Sequence, residues 1–159
     1  MRFEKDIILQ INGEIRNQLI TCVKKATPNE ACGLIFGSIN QIKNPKKEND
    51  YFYQYKAKRF ECIESDHKSP IAFLINQEEK LNEIYKIAQL KFELNLISIF
   101  HSHPAGNNPS STDLKNMEHL DYFKSFKRQI WSIMDARKGK INGFMYLNGK
   151  FIQVDVKNI

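Results

Sequence analysis

Past the middle of this 159-residue chain stands the run HSHPAGNNPSSTD, residues 101–113. His101 and His103 end an apolar run, LNLISIF, that reads as a buried strand, and the i, i+2 spacing on a strand sends both imidazoles to one face. Two imidazoles on one face can reach one metal ion. Asp113 lies in what reads as the first turn of a helix after a turn-rich loop, and from there its carboxylate can complete a His2Asp set. Three protein ligands leave one tetrahedral position open for water, the arrangement of catalytic rather than closed structural zinc, and such a water has its pKa lowered to about 7. A base must take its proton. Glu30, in PNEACGLIFG, stands at the mouth of a second apolar strand, where burial can raise its carboxyl pKa. Ser110 places a hydroxyl three residues before Asp113, where it can donate to an oxyanion.

Each of these residues also has a plainer reading. A His-x-His pair on a strand can be structural, and Ser110 can be a helix cap and nothing more. Cys32, close to Glu30, has no dedicated base to activate it and reads as a buried hydrophobe. His67 and His119 read as surface residues, and Trp131, in an apolar strand, as core.

The elements around these residues follow from periodicity. Residues 7–11 read as a strand, and Asn12-Gly13 releases the chain into a helix whose stripe is Ile15, Leu19, Cys22, Val23 and Ala26. Residues 31–37 read as a short buried strand, 41–50 as an exposed hairpin loop, and 51–62 as a strand wet on one face. A second helix is expected from Asn76, with Ile84, Ala88 and Phe92 in its apolar stripe; a third begins near Asp113 and buries Leu114, Met117, Leu120 and Tyr122 or Phe123. Strands are expected at 94–100, 130–134, 141–147 and 151–156, the last two joined by an Asn148-Gly149 turn.

Composition narrows the classes. With 24 basic and 18 acidic residues the formal charge is +6, but 19 of the basic residues are Lys, a poor choice for bidentate base reading, so nucleic acid is not the expected partner. The three cysteines, Cys22, Cys32 and Cys62, are an odd number without a C-x-x-C pair and fit a reducing compartment, with the cytoplasm as the expected location. The N-terminal run is too interrupted by charge for a signal peptide, and no stretch of 18 apolar residues occurs, so no membrane partner is expected.

Together, Glu30 in PNEACGLIFG, His101-Ser102-His103-Pro104 and Pro109-Ser110-Ser111-Thr112-Asp113 resemble the JAMM (JAB/MPN) metallopeptidase family in its catalytically competent form, and the likeness extends over residues 5–147. The resemblance implies one domain, residues 1–159, of the α/β (α+β) class, with a mixed central β-sheet flanked by helices in a cytidine-deaminase-like architecture. It also implies one Zn2+ on His101, His103 and Asp113, a water-activating Glu30, and Ser110 steadying the oxyanion. The bond cleaved would follow the C-terminal Gly-Gly of ubiquitin or a ubiquitin-like β-grasp protein, as an isopeptide or a linear peptide. The substrate tail would pair with an edge strand within residues 65–74.

No cysteine follows Cys62, and only His119 lies between Asp113 and Trp131, so the second, structural zinc of linkage-specific eukaryotic members is not expected. The chain looks more like the stand-alone prokaryotic members that process sulfur-carrier precursors or remove ubiquitin-like modifiers. One departure is plain: nine residues separate His103 from Asp113 where the family motif has ten. The shortening is expected in the 105–108 turn; were Asp113 displaced instead, the zinc site would weaken. The rival readings are a non-catalytic MPN scaffold and a nucleic-acid-associated JAB-like domain.

Overall fold

The computed structural model describes residues 6–63, 78–121 and 128–159. The expected tail-binding strand at 65–74, His67, the start of the second helix at 76–77, and Tyr122 and Phe123 lie outside the described residues.

Strand β1 (Ile7–Ile11) buries alternate side chains, and Asn12 then caps helix α1 (Gly13–Ala26), its side chain accepting from the Ile15 N–H at 2.9 Å. Ile15, Leu19, Cys22 and Val23 form the buried stripe of α1, while Lys24 and Lys25 sit in its last turn, where the helix dipole favours cations. There follow β2 (Cys32–Lys43), β3 (Tyr51–Ile63), α2 (Glu78–Phe92), β4 (Asn95–His103), α3 (Ser111–Asp121), β5 (Ile130–Asp135), β6 (Ile141–Leu147) and β7 (Lys150–Asn158). Strand β2 runs further than its apolar half: it pairs with β3 as far as Lys43↔Tyr51, so the exposed loop shrinks to the turn after Lys43. Within that turn Asn44 donates to Asp50 at 2.9 Å.

The sheet is mixed, as expected, but it closes. Strands lie in the order β1-β3-β2-β4-β5-β6-β7, and β7 pairs back onto β1 to form a barrel. Closure rests on β1, which is parallel to β3 on one side (Ile7↔Tyr53) and to β7 on the other (Ile8↔Asp155). Strand β4 is parallel to β5, and the remaining pairs are antiparallel. Hydrophobic alternation tells which face of a strand is dry but not which strand is its neighbour, and closure is therefore invisible to it.

Two apolar clusters cover the two faces of this sheet. One contains Leu9, Ile11, Ile35, Phe100, Ile130 and Met145 together with the α1 stripe. The other contains Cys32, Leu34, Phe36, Ile99, Trp131 and Ile133 with Ala88 of α2 and Met117 and Leu120 of α3. Strand β4 serves both. Its alternation is broken at Ile97, because Phe36 pairs with Leu96 but Ile35 pairs with Ser98. Ile97 is thus an extra residue, a β-bulge. Leu96 and Ile99 consequently face the α2/α3 side, and Ile97 and Phe100 the α1 side. Continuing the alternation, His101 and His103 fall on the α2/α3 face.

The cysteines are not all free thiols. Cys22 of α1 and Cys62 of β3 form a disulfide with their Cα atoms 5.9 Å apart, and Cys32 is a buried thiol on the opposite face of the sheet. The odd count therefore hides one pair and one single residue. Bridging residues 40 apart in sequence constrains the unfolded chain by about 4 kcal/mol. Reduction with a phosphine, or Cys62→Ser, should lower the melting temperature by on the order of 10 °C. An unchanged melting temperature after complete reduction, verified by thiol titration, would show that the bridge adds nothing. Among the described residues no helix is long and apolar enough to cross a membrane.

Candidate metal centre

Strand β4 enters the site with both faces already assigned. Cys32↔His101 is a register pair of β2 and β4, and the next step along is held by two bonds: the Ser102 N–H donates to the Ala31 carbonyl at 3.0 Å, and the Ala31 N–H donates to Ser102 Oγ at 2.9 Å. Glu30, two residues before β2, comes within electrostatic reach of His101, His103 and Asp113. On the other side β5 runs parallel, pairing His101↔Ile133 and His103↔Asp135. Glu30 therefore reaches the site from the segment that leads into β2, and His101 and His103 reach it from β4.

Asp113 comes from the first turn of α3. The turn is set by reciprocal bonds in which the Asp113 N–H donates to Ser110 Oγ at 3.1 Å and the Ser110 N–H donates to Asp113 Oδ2 at 2.7 Å. This is a capping box, and it both starts the helix and aims the carboxylate. Ser110 is exposed, and its hydroxyl proton is not used in this pair.

His101, His103 and Asp113 converge. His101 Nε2 lies 3.1 Å from Asp113 Oδ1, His103 Nε2 lies 3.0 Å from Asp113 Oδ2, and the two Nε2 atoms are 3.2 Å apart. The His101 side chain is wholly buried and that of Asp113 is 5% exposed, whereas His103 is open to solvent at 14%. Three ligand atoms so close to one another make a group that can hold a metal ion. The one-residue-shorter loop does not displace Asp113. It is anchored instead at Asp135, whose Oδ2 accepts from the Gly106 N–H at 2.9 Å while Oδ1 accepts from the N–H groups of Arg137 and Lys138. Gly106 turns there with φ of 86°, a conformation glycine adopts without steric cost.

The charges in the site shape one another. Burial alone would raise the Asp113 carboxyl, but bonds from both imidazoles and the Ser110 N–H hold it far below the usual carboxylate range. The hydrogen bond to Asp113 raises the His103 imidazole against the opposing effect of burial. Glu30 is half-buried, and its carboxyl is raised chiefly by desolvation, with His101 and His103 pulling it down and Asp113 pushing it up. All five residues singled out by chemistry thus gather at one end of β4, with Ser110 at the rim. Asp135 and Ser102, which hold the loop and the segment carrying Glu30 in place, were not singled out. Their signal lies in pairing register, which one sequence does not display.

The family model for prokaryotic homologs of the JAB domain matches residues 13–142. The chain belongs to this prokaryotic JAB family. The matched span runs from α1 into β6 and includes Glu30, His101, His103, Ser110 and Asp113. No curated protein matches this JAB domain in sequence at a significant level. Among solved structures, the solution structure of protein DSY2949 from Desulfitobacterium hafniense is similar to it with a TM-score of 0.65. The two share 19% identity over 96% of this chain and 92% of the other, a likeness that shows a common fold. JAB domains include hydrolases, and the group of His101, His103 and Asp113 on this fold could hold a metal ion.

Proposed function

We propose that this JAB domain is a zinc-dependent peptidase that hydrolyses the bond after the C-terminal Gly-Gly of ubiquitin or a ubiquitin-like β-grasp protein, as an isopeptide or a linear peptide. The observation that carries the reading is the convergence of His101 Nε2, His103 Nε2 and the Asp113 carboxylate within 3.2 Å of one another, on the sheet face that Glu30 also reaches. Zinc bonded at about 2.0–2.1 Å to tetrahedral nitrogen and oxygen ligands sets those ligands roughly 3.3 Å apart; the two Nε2 atoms, 3.2 Å apart, fit that spacing, while the carboxylate turns one oxygen to each imidazole. The donor set of two imidazoles and one carboxylate also leaves a coordination position open. When bound, the ion supplies Lewis acidity for the scissile carbonyl and for an attacking water.

The chain's own groups do the rest. Glu30, its carboxyl raised by burial, accepts the proton of the attacking water and returns it to the departing amine. Ser110 Oγ, bonded as an acceptor by the Asp113 N–H, keeps its own proton for the substrate oxyanion. His101, sealed from solvent, and Asp113, fixed by the capping box, give the site its rigidity. No side chain forms a covalent intermediate. The choice of a Gly-Gly tail rests on the resemblance of Glu30, His101-Ser102-His103-Pro104 and Ser110 to Asp113 to the JAMM metallopeptidases. The cytoplasmic setting requires Cys22 and Cys62 to work as thiols, and thiol titration of protein purified anaerobically without reductant reads that state directly.

The test is metal removal. Zinc-loaded protein should cleave a ubiquitin-like protein whose Gly-Gly is followed by a reporter. A chelator should abolish turnover, and stoichiometric zinc should restore it. Protein that carries about one zinc per chain yet cleaves neither linear nor isopeptide Gly-Gly substrates would end the substrate assignment. Protein that takes up no zinc would end the peptidase reading and leave the scaffold.

A further inference from the structure

His101 has a second nitrogen. Its Nδ1 is buried and has no hydrogen-bond partner among the described residues. When Nε2 of a neutral imidazole faces a metal, Nδ1 carries the proton, and it is usually donated to a carboxylate, a carbonyl or a water. Among the described residues no group accepts it. What stands against the ring is Trp131, 3% exposed, with its ring centroid 6.1 Å from the imidazole's and the two planes at 81°. The register explains the meeting. Ile99↔Trp131 and His101↔Ile133 are alternate pairs of β4 and β5, with Phe100↔Ser132 between them, so Trp131 lies on the same face as His101, two pairs behind it.

Two perpendicular rings at that distance form an edge-to-face pair, in which the positive rim of one is held by the negative face of the other. An imidazole N–H is the most positive part of its rim, and an indole is the strongest aromatic face a protein offers. We propose that Trp131 is the positioning residue of His101: its indole takes the place of the missing polar acceptor, fixing the imidazole's orientation and keeping the proton on Nδ1 so that Nε2 stays free toward Asp113. The proposal builds on the metal reading above. Trp131 lies behind the imidazole and acts only through it.

The test uses two variants and one spectrum. Trp131→Phe keeps an aromatic face, and Trp131→Leu removes it while leaving an apolar side chain. Zinc dissociation constants are measured by chelator competition on both, with His103→Ala as the zinc-free control. Loss of an outer-shell partner typically costs 10–100-fold in metal affinity, so Trp131→Leu should bind zinc at least about tenfold more weakly and Trp131→Phe within about threefold of wild type. In 15N-labelled wild-type protein the His101 proton should sit on Nδ1 and be shifted upfield by the indole ring current, a readout that needs neither zinc nor a folded Leu variant. Zinc binding in wild type with an unshifted proton, or a folded Trp131→Leu that holds zinc as tightly as wild type, overturns the role of Trp131 and leaves the metal reading intact. An upfield-shifted Nδ1 proton in protein that binds no zinc supports the ring pair and overturns the metal reading instead.

Discussion

Glu30→Gln should leave zinc in place and remove turnover. The substitution keeps the size of the side chain and its place within reach of His103, but an amide accepts no proton at neutral pH. A positioned general base contributes about 10²- to 10⁴-fold, and because Glu30 serves both the water and the leaving amine, the loss in kcat should fall near the upper end of that range. Zinc content by elemental analysis should stay at wild-type level, since Glu30 is not among the three converging ligands. A Glu30→Gln enzyme within about tenfold of wild-type kcat would remove the general-base role from this residue.

The pH profile carries the same assignment. Burial raises the Glu30 carboxyl above its ordinary value, and the base works only when ionised. Activity should therefore fall as pH drops through that raised pKa, at a higher pH than an exposed glutamate would give. The Gln variant's residual rate should lack this acid limb.

His103→Ala and Asp113→Ala should lose the metal itself. Either change deletes one of three ligands, and since an outer-shell partner alone is worth roughly 10–100-fold, a ligand should be worth more than about 100-fold in zinc affinity. The two variants should differ in the metal-free protein. Asp113 lies against both imidazoles and accepts from the Ser110 N–H, so its removal also opens the capping box at the start of α3, at a cost of about 1 kcal/mol. His103→Ala removes a partly exposed ring and spares that cap. Protons compete for the same site. Asp113 raises the His103 imidazole, and zinc binds only the neutral ring, so zinc affinity should weaken as pH falls through the raised His103 pKa. Equal zinc content in wild type and His103→Ala, measured after dialysis at neutral pH, would show that the convergence is not a metal site.

Most of this machinery was legible in the residues. Strand β1 and helix α1 are where apolar periodicity puts them, because each has one dry face and Asn12-Gly13 marks the junction between them. The cluster of His101, His103 and Asp113 was legible because a strand end and a helix start restrict where three side chains can point. Other features were not. Barrel closure depends on β1 finding β7, a pairing between chain ends that no local pattern encodes. The disulfide joins cysteines 40 residues apart, and only the packing of α1 on β3 brings them together. Trp131 reads as core from sequence, and it is core; its meeting with His101 follows from the β4/β5 register. Ser110 is the cap, its oxygen accepting from the Asp113 N–H, and this leaves its proton for the proposed oxyanion role.

The bulge at Ile97 makes the site depend on odd and even counts. Strand faces alternate, and of the four residues between Leu96 and His101 the bulge takes up one, leaving the odd number that turns both imidazoles to the α2/α3 face. Descendants of this chain can lengthen or shorten the loop beyond His103, as the nine residues to Asp113 already show. They can also drop one residue from 97–100, which removes the bulge and leaves His101 and His103 on the α2/α3 face, whereas dropping two turns both imidazoles to the α1 side. The heritable definition of this site therefore includes a parity, which an inventory of ligands and bases leaves out.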